Sequence, residues 1–242
     1  IQQTEFELTG FYDADPKVRQ TVSNELGIRA YEDTNKLIAD SDCLDIVTPT
    51  TTHFELAMKA IEAGKHIFIE KPVTHTPDEA ALLMQKAQDK GIKIQVGHVE
   101  RYNPGFRALH EIFIHPGFIE GHRLSVFNPR GTDVSVVLDL MIHDLDIVLN
   151  LVKSPVRQVF ANGVCVVSKT PDICNARIQF ENGCVANLTA SRISMKNMRK
   201  MRIFQQDAYI SIDFLNKEAQ AVRMEDVVGD DNNNGMTIHT ND

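Results

Sequence analysis

The chain has 242 residues, 43% of them apolar and 24% charged, with a formal charge of -8. That length can bury one large core or two smaller ones, and the composition is that of an ordinary globular protein. The negative balance argues against nonspecific nucleic-acid binding, and apolar runs as short as Ile67 to Ile69 exclude a membrane-spanning helix. Phe6 to Tyr12 reads as a strand. Pro16 then opens a helix that runs to about Gly27, and a short helix starts at Asp33. Cys43 to Val47 is a strand closed by Thr48-Pro49-Thr50. His53 to Ala63 is helical, with Leu56, Ala57, Ala60 and Ile61 on one face and Gly64 as its stop. His66 to Ile69 is a strand, Pro77 to Lys90 a helix, and Lys93 to Val96 another strand. Strands separated by helices of this length form parallel, right-handed βαβ units.

The pattern changes after Gly97. A helix near Pro104 to Phe113 leads to a strand at about His122 to Phe127, and a long helix spans about Ser135 to Leu151. Strand-like runs follow without intervening helices: Val156 to Val167, Ile173 to Phe180, Cys184 to Ser191, Arg199 to Gln205 and Tyr209 to Phe214. Glu181-Asn182-Gly183 is a hairpin turn between two of them. The tail from Asp230 to Gly235 is polar and expected to be mobile. The fold class is therefore α/β: a partial Rossmann-type parallel sheet in residues 1–98, then an α+β domain with a mostly antiparallel sheet in residues 99–242.

Cys43, Cys165, Cys174 and Cys184 have no zinc spacing and read as reduced thiols of a cytoplasmic protein. Asp139 and His143 are four residues apart in a helix and share a face. No second histidine stands at a matching offset, so no metal site is expected. Asp144 and Asp146 lie on other faces, where acidic residues are commonly solvated. Lys71 follows the end of a parallel strand, where open α/β sheets place ligands, although a lone lysine there is also an ordinary surface residue. Asp13 ends a strand, as does the acid that binds an adenosine ribose diol and repels a 2'-phosphate; it can equally be a helix cap. The glycine-rich phosphate turn belongs ~20 residues before that acid. Only twelve residues precede Asp13, with one glycine among them, so the turn is absent from this sequence, and the chain alone is expected to bind a dinucleotide poorly.

Three motifs carry a family resemblance: Glu70-Lys71-Pro72 after its strand, Gly97-His98-Val99-Glu100-Arg101-Tyr102-Asn103-Pro104 at the change of pattern, and Asp139-Leu140-Met141-Ile142-His143-Asp144-Leu145-Asp146. In order and spacing they resemble the Gfo/Idh/MocA oxidoreductases over nearly the whole chain. The last two look most like the branch acting on nucleotide-linked amino sugars, such as the UDP-N-acetylglucosamine 3-dehydrogenases. The resemblance implies hydride transfer between nicotinamide and the hydroxyl of a sugar or cyclic polyol, with NAD favoured over NADP. It implies Lys71, His143 and Asp139 as catalytic residues, and a cofactor set of Asp13, Thr48, Pro49, Thr50, Thr52, His53, Glu70 and Lys71. Thr52 is also a candidate N-cap.

The substrate set implied is His98, Glu100, Arg101 and Asn103, although Asn103 can simply cap the helix at Pro104; Arg130, in a loop before the long helix, and Arg192 are added as candidate anion contacts from their own chemistry. The basic stretch from Arg192 to Arg202 suits a nucleotide-sugar diphosphate or a solvated loop. The expected assembly is a homo-oligomer, dimer or tetramer, formed through the uncovered face of the second sheet. A non-catalytic sensor of NAD or sugar is the rival reading, and an inositol or diol is the alternative substrate. The sequence also reads as truncated at its C-terminus.

Overall fold

The structure is a computed structural model that describes residues 5–111, 114–128, 134–227 and 235–241. It forms two compact units, residues 1–97 and 98–242.

In the first unit, α1 (Pro16–Leu26) starts at Pro16 and is capped by Asp15, whose side chain accepts from Lys17 N–H. α2 (Thr34–Asp40) is capped by Asp33 in the same way. The strands β1 (Cys43–Ile46), β2 (His66–Ile69) and β3 (Ile94–Val96) lie parallel in that order, with Leu44 beside Ile67 and Ile67 beside Ile94. The crossovers are α3 (Thr50–Glu62) and α4 (Pro77–Asp89), the second opened by a reciprocal Thr76–Glu79 capping box. Ile46, Ile67 and Ile69 pack with Ala57, Ala60 and Ile61 of α3 and with Leu83 and Ala87 of α4. Each fully buried aliphatic side chain of this size contributes about 1.5–3 kcal/mol.

The strand expected over Phe6 to Tyr12 shrinks to one parallel bridge between Phe11 and Ala30. Its apolar positions find no sheet to cover them: Phe6 is 75% and Leu8 62% exposed. Alternation sets which way side chains point, but a strand exists only beside a partner.

The second unit begins with a 3-10 turn at Val99–Tyr102 and the short helix α5 (Pro104–Arg107). Eight strands follow in one sheet: β4 (Phe118–Leu124), β5 (Val156–Val164), β6 (Ile173–Phe180), β7 (Val185–Ser191), β8 (Met198–Phe204), β9 (Ala208–Asp213), β10 (Glu218–Val227) and β11 (Gly235–Asn241). Their order is β11-β10-β9-β8-β4-β7-β6-β5. Only β4 with β7 runs parallel among these pairs. The last two strands were not legible as such, and the tail expected to be mobile lies largely outside the described residues.

The long helix is in two parts: a π-turn at Val137–Met141, then α6 (Ile142–Val152). Ile147, Val148 and Val152 of α6 pack with inward sheet residues such as Ile119, Leu188, Met201 and Ile203. The other sheet face is polar, with Arg177 Nη1 bonded to Asn187 Oδ1 at 3.1 Å and Arg202 paired with Glu120. Edge strand β5 is exposed along its whole length.

Candidate functional site

The first unit gathers its candidates at the carboxyl ends of its parallel strands. His53, 1% exposed on α3, ties two of these ends together: Nε2 lies 2.8 Å from the Thr48 carbonyl and Nδ1 2.9 Å from the Pro72 carbonyl. It therefore braces the Thr48-Pro49-Thr50 loop from within. Thr52 does not cap α3; that position is Pro49, and Thr52 Oγ1 donates back to the Thr48 hydroxyl at 2.8 Å. Thr48-Pro49-Thr50 is held from both sides as a result.

Glu70 follows β2 and fixes itself to β1 through its N–H to the Ile46 carbonyl, 3.0 Å. Its carboxylate lies against Gly97, where a Cβ would stand 3.1 Å from Glu70 Cδ. The glycine of the second motif thus makes room for the glutamate of the first. Lys71 comes next, half-buried, with its N–H 3.3 Å from Glu70 Oε2 and a cis bond to Pro72. Burial, then the charge of Glu70, pushes the Asp45 carboxyl above its ordinary value, so a second acid not foreseen from the sequence lies near this one.

Asp13 accepts from Asp15 N–H at 2.8 Å, while Asp15 caps α1. The capping alternative for Asp13 is thus taken by its neighbour. A groove lined by Tyr12, Thr34, Asp45, Thr48 and Leu56 links this end of the unit to the loop after β1.

In the second unit, Asp139 sits within the π-turn and His143 in the first turn of α6, both half-buried. The i→i+5 pattern of a π-turn is rare and frequently marks functional sites. Residues 98–103 pack beside this helix. Arg101 forks onto Asp146, with Nε to Oδ2 at 2.7 Å and Nη2 to Oδ1 at 2.5 Å, and His98 Nδ1 lies 3.9 Å from the same carboxylate.

Several expected ligand contacts instead turn inward. Glu100 is 8% exposed and receives Arg123 and Asn103. Asn103 caps α5 through Gly105 N–H and donates to the Phe214 carbonyl at 2.9 Å. Arg192 is 3% exposed, bonds the Val134 carbonyl at 2.7 Å and lies near Asp172. Glu100 and Arg192 are buried against protein partners, while Asn103 remains half-exposed. Met198 to Phe204 of the basic stretch is strand β8 rather than loop. Arg130 lies outside the described residues.

Asp144 and Asp146, read as solvated faces, are respectively buried and ion-paired. Arg123, which joins Asp144 to Glu100, was missed; its signal was strand parity, since Ile119, Gly121 and Arg123 share the inward face of β4. Among the described residues no cluster of His, Cys, Asp and Glu could hold a metal ion, and no helix is long and apolar enough to cross a membrane.

Comparison with known proteins agrees with this architecture. Residues 1–98 match the family model described as "Oxidoreductase family, NAD-binding Rossmann fold", and residues 107–211 match the "GFO/IDH/MocA C-terminal domain". The UDP-N-acetylglucosamine 3-dehydrogenase of Acidithiobacillus ferrooxidans is 42% identical over 211 residues, 87% of this chain and 67% of that protein. A solved structure of that enzyme superposes with a TM-score of 0.87 at 38% identity, covering 97% of this chain and 74% of that one. The NAD-dependent scyllo-inositol 2-dehydrogenase of Bacillus subtilis is 28% identical over 72% of this chain and 56% of its own length. This chain thus spans roughly half to two-thirds of the curated relatives it matches. With both halves matched in order, the chain belongs to the Gfo/Idh/MocA oxidoreductase family.

Proposed function

We propose that this chain belongs to an NAD-dependent dehydrogenase that oxidises or reduces one hydroxyl carbon of a nucleotide-linked amino sugar. The observation that carries this reading is the 42% identity to a UDP-N-acetylglucosamine 3-dehydrogenase over 87% of the chain. Residues 1–98 are the dinucleotide-binding domain and 99–242 the substrate-binding and oligomerisation domain. The free thiols fit a reducing, cytoplasmic setting.

The donor set of the first unit suits a nicotinamide dinucleotide. Asp13, relieved of helix capping, offers a carboxylate to a ribose diol, and the braced Thr48-Pro49-Thr50 loop offers backbone and hydroxyl groups to the nicotinamide side. Bound NAD supplies the hydride acceptor. The protein's own part is proton handling. His143 takes the hydroxyl proton, Lys71 stabilises charge on the oxygen, and Asp139 orients the substrate or the imidazole. In the second unit His98, Arg101 and Asn103 are sugar-contact candidates, with Arg130 a candidate anion contact, and the polar face of the sheet joins a second subunit.

The test is a thermal-shift panel on the whole protein with NAD, NADP, UDP-N-acetylglucosamine and myo-inositol, followed by an assay for NADH formation. NAD and the UDP-sugar should each raise the melting temperature; a ligand at 100 times its Kd adds about 2.7 kcal/mol of stability. Turnover of myo-inositol with no response to the UDP-sugar refutes the substrate class. Binding of both ligands without turnover refutes the enzyme in favour of a sensor.

A further inference from the structure

Arg123 carries a charge into the core. It stands at an inward position of β4 and is 2% exposed. Burying a guanidinium is costly unless its charge and its donors are all matched. Two carboxylates from different elements neutralise it and engage each of its three nitrogens. Asp144 of α6 takes Nε and Nη2, with the closest oxygens at 3.1 and 2.9 Å. Glu100 of the 3-10 turn takes Nη1 at 2.9 Å. Asn103 Nδ2 holds the other Glu100 oxygen at 3.1 Å, and Arg199 Nη1 stands 3.6 Å from Oε1. Gly121 makes room for the neighbouring strand's leucine: a Cβ there would meet Leu188 Cδ2 at 2.7 Å.

Residues 98–103 therefore grip α6 at two points, at Asp144 through Arg123 and at Asp146 through Arg101. Successive residues of an α-helix are about 100° apart around the axis. His143 then falls in azimuth between the two anchored carboxylates, Asp146 on one side and Asp144 on the other. The π-turn immediately before α6 gives the anchors a purpose. A π-turn is a rare local state that surrounding structure must sustain. A return to α-helical phase at Val137–Met141 would rotate His143 relative to Asp139.

We infer that Glu100, Arg123 and Asp144 form a positioning device that fixes the rotation of α6 and so the direction of the His143 imidazole. The inference rests on the proposed proton-transfer role of His143. These three residues do not touch the reacting atoms; they act through the helix.

The test uses two variants of the whole protein: Asp144→Asn, which keeps shape and removes charge, and the apolar triple Glu100→Leu/Arg123→Met/Asp144→Leu. A buried ion cluster can often be exchanged for apolar groups with little loss of stability, so the triple variant should melt near wild type. Both should lose kcat with UDP-N-acetylglucosamine and NAD by about 100-fold with KM little changed, as expected for misplacement of a catalytic group by about 1 Å. The second readout is the His143 ring signal in NMR, assigned by loss in His143→Gln. It should be one narrow set in wild type and broadened or doubled in Asp144→Asn. A folded triple variant with wild-type kcat overturns the inference, as does an unchanged His143 signal in Asp144→Asn. Should the triple variant not fold, Asp144→Asn decides. The ring signal needs no substrate, so inactivity of wild type refutes the functional reading while the signal still decides this one.

Discussion

Arg192 Nε lies 3.9 Å from Asp172 Oδ1, with both side chains buried under the loop between β5 and β6. The other oxygen of Asp172 receives three backbone N–H groups, from Val166, Val167 and Ser168, at 2.8, 2.7 and 2.9 Å. Burial alone would raise this carboxyl. The N–H groups outweigh it and hold the group well below the usual carboxylate range. A depressed folded-state value means a contribution fully present above the unfolded carboxyl value of about 3.9 and lost as pH falls through the folded one. Asp172→Asn should therefore be less stable than wild type near neutrality, with the gap narrowing as pH falls from about 5 towards 2. Urea unfolding at each pH measures this, and a constant gap would disprove it.

Arg192 is the second expectation to follow from this pair. Arg192→Met should lower stability, because it removes the buried hydrogen bond to the Val134 carbonyl and a cation near the Asp172 carboxylate. Substrate KM measured well below the melting temperature should be unchanged. A raised KM with wild-type stability would restore Arg192 to the ligand-facing set.

How far the sequence could be read differs from place to place for physical reasons. β1, α3, β2, α4 and β3 were legible because caps, glycine stops and apolar spacing all agree there, as with Thr76 and Glu79 opening α4. Phe6 to Tyr12 has strand composition, but pairing is a tertiary fact, and only Phe11 pairs. The helix carrying Asp139 and His143 was legible, yet its π-turn was not, since one displaced hydrogen-bond register leaves the spacing of apolar residues nearly intact. Lys71 and His143 were found through motifs. Arg123 was not, because its partners Glu100 and Asp144 lie 23 and 21 residues away in sequence and no local pattern links them. The same distance hid the inward turn of Glu100, which a motif reading treats as equivalent to its exposed neighbours.

Asp13 should set the choice between the two nicotinamide cofactors. Its carboxylate is not the cap of α1, and a fixed negative charge at that point favours a ribose diol over a 2'-phosphate. Asp13→Ser in the whole protein should weaken NAD and narrow its advantage over NADP by about 10-fold, or ~1.4 kcal/mol. Isothermal titration with each cofactor checks this. Equal wild-type affinities would show that Asp13 does not discriminate.

Lys71 and His143 should carry the chemistry. Lys71→Ala and His143→Ala are each expected to lower kcat with the UDP-sugar by about 100- to 10,000-fold, the range for loss of a positioned acid–base group. NAD affinity should be nearly unchanged in His143→Ala, since the cofactor contacts proposed above all lie in the first unit. The double variant should be little worse than the poorer single one, because two groups proposed to act on one hydroxyl in one transition state do not contribute independently. His143 is half-buried in the first turn of a helix whose packing rests on Ile147, Val148 and Val152, so its truncation should leave the fold intact. Steady-state kinetics with circular dichroism on all three variants decides the matter. A His143→Ala protein with wild-type turnover would remove that residue from the reaction, and multiplicative losses in the double variant would assign the two groups to separate steps.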